Sequence, residues 1–130
     1  MTHRILVIED NPANMELMTY LLNAFGHTTI TARDGEGGVE AALRDPPDLI
    51  LCDIALPKLD GYGVARRLRA EPRLSAVPLI AVTASAMVGD RDKVIASGFD
   101  GYISKPITPE MFGELVGDLR QIAPVIGRSL

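Results

Sequence analysis

The chain has 130 residues, 47% of them apolar, and a formal net charge of −4, a size that allows one domain around one proper core. The acidic balance, with a sequence pI near 5.1, argues against nonspecific nucleic-acid binding. No apolar run reaches membrane-spanning length and the opening MTHRILVIED turns acidic too early for a signal peptide, so a soluble, cytoplasmic protein is expected.

In chain order, residues 4 to 8 (RILVI) read as a buried-type strand ended by Glu9 and Asp10. Asn11 can cap a helix and Pro12 fits its first turn; Met18, Leu21, Leu22 and Phe25 recur at helical spacing before Gly26 stops it. Thr28 to Thr31 makes a weaker, more polar strand, suited to a place near a sheet edge. A helix follows from about Gly35 to Arg44, although Gly35, Gly37 and Gly38 weaken its start. Pro46 and Pro47 end it. Leu49 to Cys52 is an unbroken apolar run suited to a central strand, and it finishes in Asp53; Pro57 and Asp60-Gly61 then open a helix to about Ala70. Of the cluster Arg66, Arg67, Arg69 and Arg73, Arg66 and Arg69 fall opposite Val64 and Leu68 and read as a solvated helix face.

Leu79 to Val82 is a further apolar strand ending at Thr83-Ala84-Ser85, followed by a helix over about 87–97 that Gly98 closes. Gly101 to Ile103 makes a short fifth strand. After Ser104-Lys105-Pro106, Thr108 can cap and Pro109 can open a last helix to about Ile122, striped by Phe112, Leu115, Val116 and Leu119. A domain over 1–123 and a frayed tail over 124–130 are expected. The lone Cys52 cannot form an internal disulfide and reads as a small core residue. His3 and His27 have no Cys or His at metal-ligand spacing, so zinc is not expected.

Five strands alternating with five helices call for an α/β protein, a parallel sheet covered on both faces. The flavodoxin-like order 2-1-3-4-5 is a common answer at this size and makes the ends of strands 1, 3, 4 and 5 neighbours. Their loops would bring Glu9 and Asp10, Asp53, Thr83 and Lys105 into one pocket. Three carboxylates raise one another's cost of ionisation, and a hard cation such as Mg²⁺ resolves the conflict. Lys105 and Thr83 could then neutralise a transferring phosphoryl group, with Asp53 as the nucleophile. Bland alternatives stand beside this: an ordinary strand-ending Asp53, an acid pair favouring a helix N-terminus, a packing Thr83, a surface Lys105. A metal-dependent phosphohydrolase would want a second acid where Ala55 stands. A nucleotide or flavin module would want a glycine-rich cradle that EDNPAN does not supply.

The motifs ILVIEDNPAN, LILCDIALPKLDG, LIAVTASA and YISKPI together resemble the receiver domain of two-component response regulators, the CheY-like family, over about residues 4 to 122. The resemblance implies Asp53 as phosphoacceptor, with Glu9, Asp10, Asp53 and the Ala55 carbonyl holding Mg²⁺ or Mn²⁺. It makes Thr83 and Lys105 the phosphoryl-binding pair, leaves phosphate access open at Ala84, and implies a cis peptide before Pro106. Thr83 and Tyr102 match the switch positions, through which the fourth helix, fifth strand and fifth helix would show a different face. Stand-alone receivers of this sort resemble either the chemotaxis regulator or the DivK-type cell-cycle and phosphorelay regulators, and EDNPANMELM and AVTASAMVGDRDKVIASGFDGYISKPI look closer to the second. Membership of that family would imply a phosphohistidine donor, on a sensor kinase or a phosphotransfer domain, docking on the first helix and the loop from Pro106 to Thr108. A protein partner is expected as output, since no further module fits after Ile122. The chain would be a monomer or weak dimer, a signalling protein whose own chemistry is limited to accepting and slowly losing phosphate.

Overall fold

The computed structural model describes residues 3–84, 88–105 and 108–109. Each apolar run becomes a strand: β1 (Arg4–Ile8), β2 (Thr28–Ala32), β3 (Leu49–Asp53), β4 (Leu79–Thr83) and β5 (Gly101–Ser104). Between them lie α1 (Pro12–Ala24), α2 (Gly35–Arg44), α3 (Gly61–Arg69) and α4 (Val88–Ala96), with a 3-10 turn at Pro72–Leu74 that the sequence does not announce. The strands pair in parallel in the order β2-β1-β3-β4-β5, the flavodoxin-like arrangement. Of the expected last helix over 109–122 only Pro109 falls among the described residues; its stripe, the Pro106 peptide and the tail lie outside them.

The sheet has two dry faces, which is why its central strands are apolar without alternation. On one face Ile5, Val7, Leu49, Leu51, Ile80, Val82 and Ile103 pack against Met18, Leu21 and Leu22 of α1. Opposite them, Leu6, Ile8, Ile50, Cys52 and Ala81 meet Val39, Val64, Leu68 and Val94 of the remaining helices. β3 and β4 are buried along their whole length, whereas β2 is largely wet, as an edge strand is. Asn11, Asp34 and Asp60 cap α1, α2 and α3 by accepting from the N–H groups of Asn14, Gly37 and Gly63. Gly98 takes φ +113 just after α4, the left-handed position it was expected to fill. The glycines at the start of α2 cost helix propensity for a packing reason: a Cβ on Gly35 would run into the Leu59 carbonyl oxygen.

Three strands run one residue past the expected end, to Ala32, Thr83 and Ser104, and β3 closes on Asp53 itself. The ladder joins backbones, so a polar side chain does not stop it: Asp53 pairs with Val82 and Thr83 with Ser104. A second difference concerns Arg69, which the helical wheel places on the solvated face. Its guanidinium turns under the sheet and donates to the carbonyls of Gly98 (2.7 Å), Leu74, Ser75 and Val77, and to Asp100 Oδ2 (2.5 Å). A wheel locates only a residue's Cα, and a long side chain then lets the charge leave that face.

Arg69 belongs to a set of side-chain ties along the amino ends of the strands. Asp100 Oδ2 also accepts from the Leu79 N–H at 2.9 Å. Asp48 accepts from the Arg4 N–H at 2.7 Å, and the Arg4 guanidinium pairs with Asp45 and donates to the Pro46 carbonyl. The His3 N–H donates to His27 Nδ1, with the imidazoles stacked 5.5 Å apart. None of the described helices is long and apolar enough to cross a membrane.

Candidate functional site

The carboxyl ends of β1, β3, β4 and β5 lie side by side, and the polar residues that finish them meet there. Asp53 closes the fully buried β3 and is itself only 4% exposed. Its Oδ1 accepts from the Ala55 N–H at 3.1 Å. Its Oδ2 faces the Lys105 ammonium at 3.4 Å. The backbone beneath is pinned: Ile54 N–H donates to the Val82 carbonyl at 3.1 Å and Gly61 N–H to the Ile54 carbonyl at 2.9 Å. α3 therefore starts directly against the strand end that carries Asp53.

Glu9 is 1% exposed. Oε2 accepts from the Asn11 N–H at 3.1 Å, while Oε1 is buried without a hydrogen bond, 3.5 Å from Lys105 Nζ. Burial pushes the Glu9 carboxyl up to about 7, helped by the neighbouring Asp53 and opposed by the Asn11 N–H and Lys105. Asp10 stands exposed beside it. Carboxylate oxygens of Glu9, Asp10 and Asp53 lie within 4.8 Å of one another, and no other such group of metal-ligand side chains occurs among the described residues. This arrangement fits a hard, oxygen-seeking cation: Glu9 Oε1 is buried without a hydrogen bond, and three carboxylates set this close repel one another more than the Lys105 ammonium alone offsets, which one divalent ion would relieve.

Thr83 ends β4 in a buried position, and Lys105 N–H donates to its carbonyl at 2.8 Å. The backbone register thus sets the hydroxyl-bearing residue and the ammonium-bearing residue next to each other. Ala84, next after Thr83, is exposed. The Ala55 carbonyl accepts no hydrogen bond from the described residues. Tyr102 is 5% exposed and belongs to the core with Ala81, Val94 and Phe99, and Thr83 is buried at the same time. Cys52, beside Asp53, is a core residue whose thiol lies 3.3 Å from the Asp53 carbonyl oxygen; burial first, and nearby carboxylates second, push it far above the usual thiol range.

Two features are not legible in the sequence pattern. Glu9 is an ion-pair partner of Lys105 as well as a candidate ligand; only the sheet order could have disclosed that. Arg33, directly after β2, lines a cavity of about 280 Å³ with Glu9, Asp10, Pro12, Met15 and Glu16. Its place after a strand at the site-bearing end was the available signal.

Residues 5–116 match the family described as the response regulator receiver domain. Over 116 residues the chain is 41% identical to the polar-differentiation response regulator DivK of Brucella ovis, covering 89% of this chain and 94% of the relative. Among solved structures it resembles the receiver domain of the sensor histidine kinase PA1611 from Pseudomonas aeruginosa, described with a magnesium ion coordinated in its active-site cleft; identity is 34%, the TM-score 0.81, and coverage 98% and 99% of the two chains. The chemotaxis protein CheY4 of Vibrio cholerae superposes with a TM-score of 0.86 at 20% identity, over 94% of this chain and 99% of that one, a likeness of fold alone. The chain therefore belongs to the response regulator receiver domain family of two-component signalling.

Proposed function

We propose that this receiver, read as one unit over residues 1–123, takes a phosphoryl group from a phosphohistidine onto Asp53 and passes the signal to a protein partner. The single observation that carries the reading is the Lys105 ammonium 3.4 Å from Asp53 Oδ2, in a corner where three acids converge. An Asp53 oxygen forms the new O–P bond as the donor's P–N bond breaks; the bonding pair stays on the imidazole nitrogen. Lys105 follows the charge onto a phosphoryl oxygen and the Thr83 hydroxyl donates to another, so both respond to charge that grows during transfer. Glu9, Asp10, Asp53 and the Ala55 carbonyl would hold Mg²⁺ or Mn²⁺, which supplies positive charge to the phosphoryl oxygens.

Ala55 offers no general acid or base beside the acyl phosphate, so self-dephosphorylation is slow and the protein is a signalling switch in the cytoplasm rather than a phosphatase. The outer face of α1 supports docking of a sensor kinase or phosphotransfer domain: Ala13, Leu17, Tyr20 and Ala24 form one exposed stripe, Tyr20 being 69% exposed. The loop from Pro106 to Thr108 would complete that dock. On the output side, Thr83 and Tyr102 couple the site to α4 and β5, where Ile95 is 41% exposed. Equal affinity of wild type and Tyr102→Ala for the output partner, with and without phosphate, would remove Tyr102 from the switch. The protein works without nucleic acid or membrane, as a monomer or weak dimer.

Intact-mass measurement after incubation with Mg²⁺ and acetyl phosphate tests the central step. Wild type gains one phosphoryl group; Asp53→Asn or a chelator abolishes the gain. Rapid multiple turnover of a phosphomonoester would instead make the protein a hydrolase.

A further inference from the structure

Arg33 follows β2 directly. Ile8 stands opposite Ala32 in the ladder, and the Glu9 N–H donates to the Ala32 carbonyl at 3.0 Å, which brings the Arg33 backbone level with Glu9. The side chain is exposed and lines the cavity of about 280 Å³ beside the acidic cluster. Among the described residues it has no ion-pair or hydrogen-bond partner, although Glu9, Asp10 and Glu16 border the same hollow. Lys105, the other cation of the site, is committed to Asp53 and Glu9 at 3.4 and 3.5 Å. A guanidinium keeps its charge at every pH at which a protein folds, and its planar fork matches phosphoryl oxygens.

A phosphoryl donor is an anion, and Asp10 and Glu16, both exposed at this hollow, repel it from the acidic cluster in which Asp10 and Asp53 oxygens lie within 4.8 Å of each other. We propose that Arg33 is a donor-guiding residue: its positive charge beside Glu9 and Asp10 draws anionic phosphoryl donors toward the acidic cluster and favours those of higher negative charge. The same positive charge opposes cation binding by the acids. This inference rests on the phosphoacceptor reading of Asp53.

Acetyl phosphate and phosphoramidate separate the effects. Both hand over the same phosphoryl group, leaving acetate or ammonia, but acetyl phosphate carries more net negative charge at neutral pH. Rates of mass gain are compared for wild type, Arg33→Ala and Arg33→Lys at low and high salt, with Mg²⁺ titrated calorimetrically into each protein without donor. Arg33→Ala should slow acetyl phosphate about two- to fivefold at low salt, slow phosphoramidate less, and lose the difference near molar salt. Arg33→Lys should keep most of the wild-type rate, and Mg²⁺ should bind Arg33→Ala about twofold or more tighter. Opposite movements of donor rate and metal affinity distinguish guidance from a folding defect, which would weaken both. Equal slowing with both donors, a loss that salt does not change, or unaltered or weaker Mg²⁺ binding would overturn the proposal. If wild type accepts a phosphoryl group from neither donor, the phosphoacceptor reading falls and this inference with it. If wild type accepts one and Arg33→Ala matches it in every measurement, only the role of Arg33 falls.

Discussion

Arg69→Met removes five donated contacts while keeping most of the apolar stem. The bonds to Gly98 and Val77 measure 2.7 and 2.9 Å, and the charged bond to Asp100 2.5 Å; those to Leu74 and Ser75 are longer, 3.2 and 3.3 Å. The Arg69 side chain is 22% exposed and Asp100 34%, so water can replace part of what is lost, most easily at the two long contacts. Taking about 1 kcal/mol for each short neutral acceptor and about 1–2 for the screened pair gives a loss near 3 kcal/mol. That is a large share of the roughly 5–15 kcal/mol that holds a domain together. Urea unfolding followed by far-UV circular dichroism suits a chain without tryptophan, and at about 1–3 kcal/mol per molar the midpoint should fall by roughly 1–3 M. Arg69→Lys should recover less than half, because one ammonium cannot span carbonyls on separate segments. In a double-mutant cycle Arg69→Met and Asp100→Ala should couple by about 1 kcal/mol or more. A midpoint shift under about 0.3 M, or no coupling, would refute this account of the clamp.

Glu9 makes metal-free stability pH-dependent. Its folded value near 7 lies above its usual 4.5, so the proton is held more tightly in the folded state; stability is fully present below pH 4.5 and is lost as pH rises through about 7, by roughly 3 kcal/mol at most. Glu9→Gln should flatten that slope in chelator-treated protein, and Mg²⁺ should raise Tm more at pH 8 than at pH 5; an unchanged slope would count against the assignment. Lys58 holds φ +67 in the loop after Asp53, so Lys58→Gly should stabilise by about 0.5–1 kcal/mol in urea titration. A Cβ on Gly61 would come 2.7 Å from the Asp53 carbonyl oxygen; Gly61→Ala should cost about 2 kcal/mol of stability and lower the rate of Asp53 phosphorylation together.

The sheet was legible in the sequence because burial on both faces writes an apolar run that needs no neighbour to interpret it, as in Leu49 to Cys52. Strand ends were less so: Thr83 and Ser104 look like terminators by side chain, yet the ladder continues through their backbones. The acidic corner could be assembled from strand order and four loop positions. Its electrostatics could not, because the Glu9 burial and its contact with Lys105 depend on residues 96 positions apart in sequence meeting at 3.5 Å. Arg69 escapes sequence reasoning for a related reason: a wheel describes one helix, and its acceptors lie on the segments around 74–77 and 98–100. The Pro72–Leu74 turn is a single 3-10 turn, too short to leave a periodic signal.

The side-chain ties through Arg4, Asp48, Arg69 and Asp100 all lie on the rim away from Asp53. Among the described residues the far rim is thus laced like a book's spine, while on the reactive rim Lys105 reaches across strands to Glu9 and Asp53. Amide hydrogens near Asp48 and Leu79 should then outlast those near Asp10 and Ala84 in exchange, because the far rim holds β1, β3, β4 and β5 to their neighbours by charged side chains as well as by the ladder.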